Sequence, residues 1–338
     1  MTQPPTLSFL DLVPIREGDT IAGALATAAD IARAAEAAGY HRYWVAEHHG
    51  MAGIGGAATS VVLGHIGAAT RTIRIGSGGI MLPNHAPLQI AEQFGTLDAL
   101  FPGRIDLGLG RAPGSDQKVA AALRRTLNAN PDAFVHDVTE LQRFFAGEGD
   151  NGVLAVPGAG AHPELWILGS SLYGAQVAAL LGLPYAFAAH FAPQALDAAL
   201  ATYRKHFRPS AELAAPHAMV GVGVIVAETD EDAGFLASSQ QQQFVALRRG
   251  DASRPFPRPV PGFYASQQPV LQQMLDETFS VAAIGSEATV RARLSALLQR
   301  TQADELIITT PVYDPAARLG SIARTAEIVA SLAQAPVA

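Results

Sequence analysis

The sequence predicts an α/β protein built as a single (β/α)8 barrel, and three observations point there. Short apolar runs alternate with helical stretches eight times along 338 residues, the pattern of a parallel sheet with crossover helices. The runs are nearly continuous in apolar residues, as strands buried on both faces are. They end in glycines or in polar and charged residues, as strands do when their C-terminal ends carry a functional face. The competing fold, a doubly wound open sheet, usually has a glycine-rich nucleotide turn after its first strand. Here that turn reads Val13-Pro14-Ile15-Arg16-Glu17-Gly18, and no Walker motif occurs. GLGRAPG has the wrong spacing for GxGxxG, and GVGVIV opens its strand instead of closing it.

The elements follow in order. The first strand is the run at 7–13. Asp19 or Thr20 can cap the Ala-rich helix at 20–38, which stops at Gly39. The second strand is 43–46. A helix at 56–69 is weakened by three glycines. The third strand is 73–82, and a helix at 88–100 ends at Phe101-Pro102-Gly103. The fourth strand is 104–109; a helix at 131–145 then opens on Pro131, a residue suited to a first turn. The fifth strand is 165–168, followed by a helix at 173–181. The sixth strand is 185–189, with a helix at 193–207. The seventh is 219–227, with a helix at 230–249. Helices at 267–279 and 286–300 precede the eighth strand, 305–309, and a helix at 318–333 closes the chain. The spacing gives a TIM barrel with insertions after strands 4 and 7. No composition shift marks a second domain, so residues 1–338 are expected to be one. Prolines at 255, 257, 259 and 261 keep 250–263 irregular. That loop belongs to the catalytic face, either as a lid that excludes water or as an inert insertion.

Composition narrows the function. At 49% hydrophobic and 16% charged, the chain can bury a large core. A net charge of −7 gives no footprint for nucleic acid. With no cysteine there are no disulfides, thiolate zinc sites, iron–sulfur clusters or cysteine nucleophile. The start, MTQPPTLSFLDLVP, lacks the basic and apolar regions of a signal peptide. The apolar runs break well before membrane-spanning length. A cytoplasmic protein with no membrane contact is expected.

The chemistry gathers between Tyr43 and Arg111, where Glu47, His48, His49, Asn84, His85 and Arg111 all follow strands. Adjacent histidines on extended backbone point to opposite sides, so one of His48 and His49 faces the mouth. That histidine is an acid/base candidate or a hydrogen-bonded strand-end residue. A metal would need a third ligand that the spacing does not supply, and none is expected. Gly76-Ser77-Gly78-Gly79 lies within the third strand, where glycines imply a bulge or the close approach of a flat ligand. Gly78-Gly79 is also the least hindered place for a non-proline cis peptide. Arg111, past the fourth strand, suits a phosphate or carboxylate. Ser170 and Ser171 open a helix after the fifth strand. There a serine is an ordinary N-cap, and the same geometry offers N–H groups and hydroxyls to an anion.

WVAEHHG, GSGGIMLPNHAP, FPGRIDLGLGRAPG, LGSS, LGLPYAFA and ELIITTPVYD, in that order over nearly the whole chain, resemble the bacterial luciferase-like monooxygenase family. The likeness is to its oxidoreductases of unassigned substrate. It implies a barrel that uses reduced FMN, made by a separate reductase, and O2 to oxidise a small organic substrate through a flavin C4a-hydroperoxide. By the same resemblance His48 is the acid/base. Gly78 and Gly79 form a cis peptide against the isoalloxazine ring, and Arg111 and Ser171 meet the phosphate, with Ser170, also expected at the cofactor, standing where luciferases carry a glutamate. Gly110 stands where luciferases carry a reactive cysteine, which argues against light emission. A homodimer is also implied. An F420-dependent oxidoreductase and a non-catalytic flavin-binding homologue are the alternatives.

Overall fold

In a computed structural model, residues 5–111, 117–123, 133–149, 152–251 and 253–332 are described. The chain runs β1 (Thr6–Asp11), α1 (Ile21–Ala37), β2 (Arg42–Val45), α2 (Thr59–Ala69), β3 (Arg74–Met81), α3 (Pro87–Leu100), β4 (Ile105–Gly110), α4 (Gln117–Ala122) and α5 (Ala133–Phe145). It continues with β5 (Glu164–Gly169), α6 (Leu172–Leu181), β6 (Tyr185–Phe187), α7 (Leu196–His206), β7 (Ala218–Val226), α8 (Asp230–Arg248), α9 (Pro269–Thr278), β8 (Ala283–Gly285), α10 (Glu287–Thr301), β9 (Glu305–Thr309) and α11 (Pro315–Leu332). All strand pairings between these elements are parallel. β1 to β7 pair in sequence, β7 pairs with β9, and β9 returns to β1, closing eight strands into a (β/α)8 barrel.

The expected eighth strand is β9. The three residues of β8 lie outside the barrel and pair only with the last residues of β7, Val224 with Ala283 to Val226 with Gly285. So short a run carries no readable periodicity. α2 begins at Thr59, not at 56, because Gly56 is held in close approach to β2: a Cβ there would lie 2.4 Å from the Ala46 carbonyl. α4, after β4, was not anticipated. The expected helix start at Pro131 and the last residue of the closing helix lie outside the described residues. Thr20 does cap α1, accepting the Gly23 N–H at 3.0 Å.

Every residue of β2, β4, β7 and β9 is buried, as strands must be when helices cover one face and the barrel interior the other. The larger apolar core fills the space between sheet and helices. A smaller one fills the barrel, with Leu10, Trp44, Ala46, Trp166, Ala186, Met219 and Ile307 joined by Leu12 and Leu168. Below it, at the N-terminal ends of the strands, is an ionic layer. Arg42 pairs with Asp106 at 2.9 Å, Glu164 at 3.0 Å and Glu305 at 3.1 Å, while Arg74 reaches Asp106 at 2.6 Å. Gly76 makes room for it, since a Cβ there would lie 2.5 Å from the Asp106 Cβ. Polar closure of the bottom leaves the C-terminal ends of the strands as the open face. No described helix is long and apolar enough to cross a membrane.

Candidate active site

The site is built from residues just past strand ends. Two residues beyond β2, the Glu47 carboxylate is almost wholly buried, 1% exposed. It accepts the Met81 N–H at 2.9 Å, His49 Nε2 at 2.7 Å and His85 Nε2 at 2.9 Å. Asn84 Nδ2 stands at 3.4 Å. The Glu47 N–H in turn donates to the Gly79 carbonyl. Burial pushes this carboxyl up. The hydrogen bonds from His85, from the Met81 N–H and from His49 outweigh that and hold it down at about 2, so it is an anion. Of the six residues expected to cluster at the mouth, four (Glu47, His49, Asn84 and His85) form this one group. His85 is the third metal-type ligand that the sequence did not supply, with all three ligand atoms within 4.8 Å of one another. Their hydrogen bonds to one another already account for the arrangement.

Alternation along the extended backbone puts His48 on the other side from Glu47 and His49. Burial holds its imidazole below the usual histidine range, against the pull of Glu47. Its Nδ1 is buried and has no hydrogen-bond partner among the described residues. The peptide between Gly78 and Gly79 is cis, and the register with β4 slips between Gly78 and Ile80. Both readings of these glycines therefore hold in part. The bulge is present, and the missing side chains are required by the protein itself. A Cβ at Gly78 would lie 2.6 Å from Leu10 Cδ1, and one at Gly79 the same distance from the Gly108 carbonyl.

Arg111 leaves β4 at the surface, its guanidinium carbon 3.9 Å from the centroid of the Tyr173 ring in the first turn of α6. Ser171 is the N-cap of that helix, but its hydroxyl makes no capping hydrogen bond, contrary to the ordinary reading of a serine there. Ser170 is half-buried and Ser171 exposed beside it. Arginine, serines and the first N–H groups of α6 thus share one corner of the mouth. Gly110, buried at the end of β4, has Met81 Sδ 3.2 Å from where a Cβ would be.

A family model described as luciferase-like monooxygenase matches residues 7–305. The chain belongs to the luciferase-like monooxygenase family. A relative named luciferase-like monooxygenase from Escherichia coli strain K12 is 51% identical over 315 residues, covering 93% of this chain and 94% of its own. Among solved structures, apo-MsnO8 is similar at 33% identity and a TM-score of 0.85, over 96% of this chain and 98% of its own. The oxygenating constituent of 3,6-diketocamphane monooxygenase from Pseudomonas putida, a type II Baeyer–Villiger enzyme solved with FMN, shares the fold at 17% identity and a TM-score of 0.75. That match spans 96% of this chain and 98% of the other.

One further residue joins the mouth. His190 lies three positions past β6, and its backbone N–H donates to the Gly221 carbonyl of β7. Its ring fills the space beside Gly221, where a Cβ would lie 2.6 Å from the histidine Nδ1. The signal in the sequence was a histidine two positions after YAFA, at a strand end like the others.

Proposed function

We propose that this chain is an FMN-dependent monooxygenase that oxidises a small organic substrate with O2, a separate reductase supplying the reduced flavin. The observation that carries the reading is the corner at α6. A helix N-terminus whose cap hydroxyl is unused, with an arginine stacked on its first turn, has the donors and the charge that a phosphate monoester requires. In this reading Arg111, Ser170, Ser171 and the first N–H groups of α6 hold the phosphate. The backbone of Gly78 and Gly79 would lie against the ring. FMN, when bound, supplies the electrons and the centre at which O2 is activated. His48 holds or moves a proton at its imidazole, and its low basicity keeps it neutral and able to accept one near pH 7. Leu12, Ala46, Leu168 and Ala186 of the inner apolar cluster would keep water from the reacting face.

The FMN structure of the Pseudomonas putida enzyme and the monooxygenase name of the E. coli relative support this reading. The test is equilibrium binding of FMN and of F420 by fluorescence, for wild type and Arg111→Ala. FMN is expected to bind, and Arg111→Ala to weaken it roughly ten- to a hundredfold, the worth of one charge-assisted contact. Preference for F420, or an affinity indifferent to Arg111, would overturn the assignment.

A further inference from the structure

Two imidazoles at this mouth share a feature with no other explanation in the fold. His48 follows β2 and His190 follows β6, and the barrel order β1-β2-β3-β4-β5-β6-β7-β9 puts these strands on opposite walls. Both side chains have a buried Nδ1 with no hydrogen-bond partner among the described residues. Buried polar atoms are paired in folded proteins, and one left unpaired costs about 1–3 kcal/mol. Two such atoms at one mouth imply that something else satisfies them. The fold has also made room for the second ring, since Gly221 in the middle of β7 has no side chain where His190 lies. Leu12, Ala46, Leu168 and Ala186, in barrel strands or just past their ends, belong to the apolar cluster inside the barrel or pack against it.

We propose that His190 is a substrate-contacting residue that faces His48 across the mouth and hydrogen-bonds the polar atom of an otherwise apolar substrate. This deepens the monooxygenase reading and rests on it for the word substrate; the facing pair stands by itself. The division of labour follows from the surroundings. Glu47 and His49 flank His48, and Glu47 favours its protonated form. His190 has no carboxylate acting on it. Burial pushes it down to about 4, the contact of its ring with the Gly221 backbone opposes this only in part, and the charge of a protonated His48 adds to the lowering. One proton at a time is therefore held by the pair, on His48, while His190 stays a neutral group that can donate or accept one hydrogen bond. A neutral imidazole beside an apolar cluster selects a molecule with one heteroatom on an alkyl body, such as a ketone or an aldehyde. It disfavours substrates charged at that end.

The test follows histidine ring resonances by NMR in the protein without cofactor. His190 is expected to titrate well below His48, and His48→Gln is expected to raise its midpoint. An unmoved midpoint means that the rings do not face each other and overturns the pair. Cyclohexanone and decanal are then titrated into wild type. Both resonances are expected to shift with a common dissociation constant, which His190→Phe, lacking any nitrogen, weakens at least tenfold while His190→Gln weakens it less. If neither probe moves His190, the contact is wrong, whether or not His48 responds. The fluorescence measurement of FMN binding is independent: its failure would remove the cofactor and leave the histidine result standing.

Discussion

At the scale of single residues, the site separates its histidines by what lies next to them. His49 and His85 are bound to an ionised carboxylate, while His48 has a buried nitrogen that no described residue satisfies. A hydrogen-bonded histidine orients; one with an open nitrogen can exchange a proton with a ligand. His48→Ala is therefore expected to lower kcat by roughly two to four powers of ten, the usual contribution of a general acid or base, with FMN affinity unchanged. Steady-state kinetics beside a binding titration read both. Turnover equal to wild type would remove His48 from the chemistry. The sequence located His48 because it follows a strand. It did not reveal why Glu47 precedes it: the partners Met81 and His85 belong to the end of β3, and only the register Val45 with Ser77 brings them alongside.

Elements were legible where periodicity or a cap announced them. Eight barrel strands, the Thr20 cap and the cis-compatible Gly78-Gly79 step could be read directly. β8 could not, being three residues long, and the start of α2 could not, because its glycine serves tertiary contact rather than helix propensity. The proline-rich loop shows the same limit. Sequence made 250–263 irregular but said nothing of its anchor. Phe256 is 1% exposed, takes the place of a strand partner beside Arg16, donates its N–H to the Ile15 carbonyl at 2.7 Å and accepts the Glu17 N–H at 2.9 Å. The loop is thus fastened to the segment after β1, on the catalytic face. Phe256→Ala is expected to cost about 3 kcal/mol and to free the loop before the barrel melts. Limited proteolysis should then cut within 250–263 at temperatures where wild type is intact; equal protection in both proteins would show that the backbone bonds suffice without the ring.

For the molecule as a whole, charge burial sets the response to acid. His190 is held at about 4 against an ordinary 6.5, so the unfolded chain binds its proton first. Stability from this group is complete above pH 6.5 and is lost as the pH falls toward 4, on the order of 3 kcal/mol. His48, also held low, adds to the same window. Glu47 is held at about 2 despite burial. Glu36 is held there as well: burial raises it, but the N–H groups of Ile73, Thr72 and Arg71 outweigh that. Their contributions are present above pH 4.5 and vanish between 4.5 and 2. Urea midpoints measured against pH should therefore fall in two stages, and His190→Gln should flatten the upper one alone. An upper stage that keeps its slope in the variant would mean that other groups set it.

The Glu47 cluster also bears on how such a chain can change over generations. Glu47 and His85 are 38 positions apart, yet neither is tolerable alone: losing the carboxylate strands two imidazoles, and losing His85 leaves a buried anion short of a donor. Drift at one position therefore passes through a disfavoured intermediate, and the two should be inherited as a pair. In a broad alignment of relatives, sequences lacking the acid at 47 should also lack the histidine at 85, and frequent single losses would show that the cluster is dispensable.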